Sequence, residues 1–342
     1  MKAVLFYEHG GPEKLVYEDA PEPKPDTGEV VIQVKACALN HLDIWVRQGI
    51  PAYKLALPHV SGCDIAGVVH AAGPGVDSLS LGQRVFVAPG LSCWTCEACL
   101  AGRDNQCATF RVIGASIHGG YAEYVKVPAI NCLPIPEKLS FDEAAAFPLV
   151  YLTAWHMLIT RARLAPGETA LIHGVSSGIG SAALQIAKLI GATAIVTASQ
   201  DENLDKAQRL GADHTINYAT SDVTKRVREL TGGRGVDVVF EHIGPATWDQ
   251  SLQSLVKGGR LVTCGATTGP QVTLDLRYVY SRELTVFGSY LGTRAELSTV
   301  AKLMGAGRLA PVIGGTFPLR EAKLAQERML QRQFFGKLIL KP

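Results

Sequence analysis

The sequence predicts an α/β protein of two domains, a β-rich first part followed by a doubly wound parallel sheet. Three observations carry that expectation. The chain has 342 residues, more than the roughly 250 at which a single core stops growing. Up to about residue 130, short β-branched runs are punctuated by Gly and Pro with little helical periodicity. After about residue 140, apolar strands alternate with amphipathic helices.

The opening MKAVLFYEHGG reads as a strand closed by a Gly-Gly turn. Its apolar run is too short for a secretory signal, and it lacks a small-residue cleavage site. KLVYEDAP, EVVIQVKACAL, IAGVVHAAG, RVFVAPG and YAEYVKVP follow as strands. In the second part TALIHG leads into the helix SAALQIAKLI, AIVTAS into ENLDKAQRL, HTINY into DVTKRVREL, and VDVVFEHIG into WDQSLQSLV. RLVTCGA and LTVFGS complete six strands. The tail from residue 291 holds the helical AELSTVAKLMGAG and the strand-like GKLIL, and is read as packing back on the first part. The domains are therefore 1–130 with 291–342, and 131–290.

Composition excludes several function classes. Net charge is +2 with no long basic block, which argues against nucleic-acid or acidic-membrane partners. No apolar run reaches the ~18 residues of a membrane span. The expected setting is cytoplasmic, with a small-molecule substrate. Of eight cysteines, four are clustered, and Cys37, Cys63, Cys132 and Cys264 are scattered, which is metal-site usage and not a disulfide framework.

In HGVSSGIGSAALQIAKLIGA, Gly174, Gly178 and Gly180 lie between a strand and a helix. A phosphate there meets free N–H groups from the Ser176, Ser177, Gly178 and Ile179 backbone, and Gly180 permits close helix–strand packing. This is a dinucleotide turn. The acid that usually binds the ribose diol about 20 residues on is missing: the next strand ends at Ala198, Ser199 and Gln200, ahead of Asp201 and Glu202. A hydroxyl in that place favours NADP(H) over NAD(H), although no Arg or Lys lies beside Ser199.

Cys93, Cys96, Cys99 and Cys107 have the spacing C-x2-C-x2-C-x7-C. Four thiolates close a tetrahedral shell around one structural Zn²⁺ per subunit. An iron–sulfur pattern would place its last cysteine sooner, followed by proline, whereas Ala108 follows Cys107.

Together with LNHLDIWVRQG, PHVSGCDIAGVV, GGYAEYVKVP, AAAFPLVYLTAW, VVFEHIG and GGRLVTCGATTG, these segments resemble the zinc-containing medium-chain dehydrogenase/reductase family along the whole chain. The resemblance implies a GroES-like catalytic domain and a Rossmann-type cofactor domain, with an active site in the cleft between them. It also implies departures. The catalytic zinc of the family's alcohol dehydrogenases is held by Cys, His and Cys, and here those positions are Asn40, Cys63 (followed by Asp64) and Leu149; the usual proton-relay hydroxyl is Leu42. A catalytic zinc needs three protein ligands and an open position. His41, Asp43, His59 and Cys63 are the donors from which a rearranged site would have to be built. By the same resemblance Thr153, Ile243 and Gly265 contact the nicotinamide half and Phe287 lies near its carboxamide. Gln200, Asn203 and Tyr218 surround the 2′-phosphate with Ser199, while His41 and Lys337 approach the cofactor phosphates.

The leading expectation is reduction of a quinone or an activated C=C bond by direct hydride transfer without a catalytic zinc. Asn40 is read as the donor to the developing oxyanion, and His41 or water as the proton source. Alcohol dehydrogenation with a rearranged metal is the alternative. A dinucleotide-binding sensor or nucleic-acid-binding protein is the non-enzymatic alternative. The LTVFGS edge strand suggests a homodimer or homotetramer.

Overall fold

The β-branched runs of the first part pair into a seven-stranded sheet in the order Ile313–Pro318, Lys337–Lys341, Glu29–Ala38, Asp64–Ala72, Arg84–Val87, Cys132–Pro134, with Tyr124–Pro128 also on Glu29–Ala38. In this computed structural model, which describes residues 1–50 and 54–342, the chain divides into Met1–Leu149 with Thr293–Pro342, and Val150–Gly292. The central strand Glu29–Ala38 runs antiparallel to Asp64–Ala72 as far as the pair Ala38–Asp64. On its other side Ala38 faces Ile339. That register gathers the ends of three strands at one corner of the sheet, and the candidate site is built there.

The first unit continues to Leu149, beyond the boundary at residue 130 read from the sequence. Its extension is the helix Phe141–Ala146, started by a Ser140–Glu143 capping box with Glu143 N donating 3.2 Å to Ser140 Oγ. Ala144, Ala145 and Ala146 are fully buried, and these small side chains let the helix lie close on strands Glu29–Ala38 and Asp64–Ala72. Two further elements went unread in the tail, the strand Ile313–Pro318 and the helix Ala322–Leu330.

The second unit carries the six expected strands, all parallel, in the order His214–Asn217, Thr193–Ala198, Thr169–Ile172, Val236–Glu241, Leu255–Thr263, Thr285–Gly288. The order reverses at Thr169–Ile172, so ligands are expected outside the carboxyl ends of the strands at that switch point. Five helices alternate with these strands: Gly178–Ile190, Asp201–Arg209, Val223–Leu230, Pro245–Ser254 and the short Leu276–Ser281. Leu171, Ile195, Val236, Val239, Leu255 and Leu261 are fully buried in its core. Among the described residues, no helix is long and apolar enough to cross a membrane.

Candidate functional site

Asn40 is the N-cap of the helix His41–Gln48, a two-turn element absent from the sequence reading. Its backbone N–H donates 2.8 Å to Asp43 Oδ2, which frees the amide side chain to point elsewhere. Asn40 Nδ2 donates 2.8 Å to Asp64 Oδ2 and lies 3.4 Å from Cys63 Sγ. Lys337 Nζ donates 2.6 Å to Asn40 Oδ1 and 2.9 Å to Asp64 Oδ2, and Leu149 N donates 2.8 Å to Asp64 Oδ1. An ammonium only donates and a carboxylate only accepts, so the amide orientation is set by its neighbours. Lys337 is 4% exposed and Asp64 0%.

The three positions at which the family resemblance places zinc ligands therefore do converge. Asn40 touches Cys63, and Leu149 reaches Asp64, but a hydrogen-bonded ion pair lies among them. Two expectations change. The Asn40 amide hydrogens face Asp64 and Cys63 and not a substrate oxygen. Lys337, expected at the cofactor phosphates, has its ammonium committed to Asn40 and Asp64, because a buried carboxylate needs a cation beside it.

Asp43 is fully buried and receives three donors: Asn40 N, Tyr121 OH at 2.9 Å and Gly62 N at 3.1 Å. Burial pushes its carboxyl up to about 6, against the opposite pull of those hydrogen bonds. It clamps the helix start to the Gly62 segment. His41 opens the helix half-buried, its ring centroid 6.1 Å from that of Trp45. His59 is buried with Nε2 3.0 Å from the Gly114 carbonyl, and its ring stands 5.5 Å from that of His118. A rearranged metal site is thus not assembled from these groups. Among the described residues, only the clustered cysteines bring three or more Cys, His, Asp or Glu ligand atoms within 4.8 Å of one another.

Burial lowers His59 to about 4, opposed by its bond to the Gly114 carbonyl. A base depressed below its unfolded value stays neutral in the fold while the unfolded chain takes up a proton. Its contribution is therefore complete above pH 6.5 and lost as pH falls toward 4. The expected loss across that window is about 3 kcal/mol. Urea unfolding at pH 7 and pH 4.5 checks it, with His59→Gln expected to flatten the pH dependence.

The cysteine lobe is a short helical turn, Glu97–Leu100, and a 3-10 turn, Asp104–Gln106, with Cys96 and Cys107 at their ends. Cys96 Sγ is 3.6 Å and Cys93 Sγ 3.9 Å from Cys99 Sγ. A tetrahedral zinc with ~2.3 Å bonds sets sulfurs about 3.8 Å apart. Cys96 N and Cys93 N each donate 3.3 Å to a cluster sulfur, as thiolate ligands require. The donor set fits zinc with no position left for substrate. Asp104 carries the lobe onto the helix Arg294–Gly305 by accepting Arg294 N at 3.0 Å.

In the second unit the glycine turn leaves strand Thr169–Ile172 and enters the helix Gly178–Ile190. Ser177 caps that helix, accepting Gly180 N at 3.0 Å and donating 2.8 Å to the Gly174 carbonyl. Gly174 has φ +60, and a Cβ on Gly180 would collide with the Gly174 carbonyl. Ser177 N donates 3.0 Å to the Gly174 carbonyl and Gly180 N to Ser177 Oγ, so the amides of Gly178 and Ile179 at the helix start are the ones suited to a phosphate. Ser199, Gln200 and Tyr218 are exposed beyond strands Thr193–Ala198 and His214–Asn217, with Asn203 donating 3.3 Å to Gln200. Ile243 and Gly265 follow the next two strands, and a Cβ on Gly265 would stand 2.9 Å from the His242 carbonyl. These residues share the carboxyl edge of one sheet and fit a dinucleotide. Phe287 lies on the last strand with the Arg161 guanidinium 5.4 Å over its ring, and Thr153 is buried in the helix Pro148–Trp155. Sequence reasoning missed the buried polar residues beneath the turns, chiefly His173 and Glu241. Their signal was polar side chains at the ends of otherwise apolar strands.

Residues 26–137 match the alcohol dehydrogenase GroES-like domain and residues 178–306 the zinc-binding dehydrogenase model. A quinone oxidoreductase of Rattus norvegicus is 30% identical over 99% of this chain and 97% of its own length. A 2-haloacrylate reductase of a Burkholderia species is 33% identical over 99% of this chain and 98% of its own length. Among solved structures, an NAD-dependent alcohol dehydrogenase is 44% identical with a TM-score of 0.97, covering 100% of both chains.

Proposed function

The chain belongs to the zinc-containing medium-chain dehydrogenase/reductase family of NAD(P)-dependent oxidoreductases, and on that premise we propose that it reduces a quinone or an activated C=C bond without a catalytic zinc. One observation carries this reading. Asn40, Cys63 and Leu149, the residues that the family resemblance places at the zinc-ligand positions, lie together with the Asp64–Lys337 pair among them. Neither an asparagine amide oriented by that pair nor a leucine supplies the thiolates that hold a catalytic zinc. The relatives named for quinone and haloacrylate reduction point the same way.

When bound, the reduced nicotinamide supplies the hydride. The chain's own part would be to stabilise the negative charge that develops on the conjugated oxygen and to hold the proton, on His41 or water, that completes the product. Lys337 takes the oxyanion role first assigned to Asn40. Its ammonium has three N–H donors, and Asn40 and Asp64 take two of them. Positive charge already fixed in a dry site needs no reorganisation as the oxyanion forms.

NADP(H) is preferred to NAD(H). Asp201 accepts Asn217 Nδ2 at 2.7 Å and Glu202 pairs with Lys206 at 2.6 Å, so both neighbouring carboxylates are engaged away from Ser199. With hydroxyl and amide donors and no Arg or Lys among residues 196–203, the preference is about tenfold or less. One structural zinc belongs at Cys93, Cys96, Cys99 and Cys107. Subunits pair along the free edge of strand Thr285–Gly288, the last in its sheet.

The test combines zinc content per subunit with NADPH and NADH oxidation over a panel of small enones and quinones, with and without chelator. Expected are one zinc, chelator-resistant turnover and faster reaction with NADPH. Two zincs with chelator-sensitive, alcohol-dependent reduction of NAD⁺ would establish alcohol dehydrogenation instead.

A further inference from the structure

Beneath the cofactor-binding edge of the second unit lies an unbroken run of buried polar side chains. Glu241 ends strand Val236–Glu241 with no exposed surface. Its Oε1 accepts Ile243 N at 2.6 Å and Gly244 N at 3.0 Å, and its Oε2 accepts Thr247 Oγ1 at 2.7 Å and Ser251 Oγ at 2.9 Å. Ser251 has one proton and gives it to Glu241, so its oxygen accepts from His173 Nε2, 3.0 Å away. His173 is therefore the Nε2–H tautomer, and Nδ1 is left as the acceptor facing Thr197 Oγ1 at 3.5 Å. Thr197 in turn accepts Gly174 N on its hydroxyl at 3.2 Å and Val175 N on its carbonyl at 3.0 Å. Each donor has an acceptor, and the donors run toward Glu241 from both ends, through Thr197, His173 and Ser251 on one side and from the Ile243 and Gly244 amides on the other. Both its ends are backbone: Gly174–Val175 after strand Thr169–Ile172, and Ile243–Gly244 after the adjacent parallel strand Val236–Glu241.

We infer that Glu241, Ser251, His173 and Thr197 are positioning residues that lock these two turns together, so that the phosphate-facing and nicotinamide-facing halves of the dinucleotide site hold their shape as one unit. This rests on the reading of the glycine turn as the dinucleotide site. None of the four side chains needs to touch the ligand. An apolar interior would be simpler to bury, since a buried carboxylate is tolerated only when its acceptors are fully used. Here all four hydrogen bonds to Glu241 come from the turn that follows it or from the helix Pro245–Ser254. The cross-link His242 Nε2 to the His173 carbonyl, 2.9 Å, ties the same two strand ends a second time.

The test is remote coupling. ADP-ribose carries the phosphates without the nicotinamide, and Ser251 reaches the Gly174 turn only through His173 and Thr197. In Ser251→Ala the affinity for ADP-ribose, measured calorimetrically with the full-length protein, is expected to fall about fivefold to tenfold through release of the Gly174 turn. Ser251→Thr, which keeps the hydroxyl, restores it. Leu252→Ala, a core change on the same helix outside the line, should lower the melting temperature without moving this affinity. ADP-ribose binding within about twofold of wild type in folded Ser251→Ala would overturn the inference, as would an equal loss in Leu252→Ala. Should Ser251→Ala not fold, Thr197→Val cuts the line at its other end. Its readout is the affinity for nicotinamide mononucleotide, and an unchanged value overturns the inference equally. Failure of the wild type to bind ADP-ribose or NADPH at all would instead remove the dinucleotide reading itself.

Discussion

Replacing Lys337 by methionine is expected to cost about 3–5 kcal/mol of unfolding free energy, the usual consequence of leaving a buried carboxylate without its partner. Lys337 is the cation beside Asp64, whose second oxygen already receives the Leu149 amide. Methionine fills the volume and removes the charge. Asp64 must then ionise alone in a dry interior or take up a proton, and in either case Asn40 loses the donor to its Oδ1. Because both partners are buried, raising salt to 1 M should change the wild-type stability little, unlike a surface pair. Asp64→Asn combined with Lys337→Met should recover part of the loss. Catalysis separates from stability here: turnover of an enone at saturation should fall steeply while affinity for NADPH stays within about twofold. A Lys337→Met protein unfolding within 1 kcal/mol of wild type would show that the pair contributes nothing net.

Cys96→Ser is expected to abolish stoichiometric zinc and open the lobe. The segment between Cys93 and Cys107 has two short turns and little apolar surface of its own, with Leu100 pointing outward. Metal binding is then the main source of its order, as in other small zinc-held segments. Trypsin reads the opening directly, because Arg103 and Arg111 are exposed in and beside the lobe. Cleavage there should accelerate about a hundredfold, equivalent to about 3 kcal/mol of lost local stability. The ratio of rates across a substrate panel should stay nearly constant. Unaltered proteolysis with lost turnover would move the cluster from scaffold to chemistry.

The parallel sheet was legible because its strands are apolar on both faces and its helices keep a clean period. The helix His41–Gln48 was not. Its buried side includes Asp43 and Arg47, and Arg47 donates to Gln326 at 2.9 Å and to the Gly10 carbonyl. Polar residues on an inward face erase the hydrophobic pattern that marks a helix. That Asn40 and Leu149 depart from the residues expected to hold a catalytic zinc could be read from residue type alone. What replaced them could not, since Lys337 is separated from Asn40 by 297 positions and a lysine after glycine reads as surface. The division at Leu149 lies past the boundary read near residue 130 for a similar reason. Ala144, Ala145 and Ala146 look like the start of a helical domain and are the inner face of a helix lying on the first unit's sheet.

The strand Lys337–Lys341 lies beside Glu29–Ala38 with the whole of the second unit between them in the chain. This ordering has a consequence for how the protein is made. As the polypeptide leaves the ribosome, the continuous second unit is complete long before the first unit's sheet can close. Until Lys337 emerges, Asp64 has no cation, and the corner holding Asn40 cannot take its final form. The second unit's parallel sheet is therefore free to fold while the Asn40–Asp64 corner of the first unit is still unfinished.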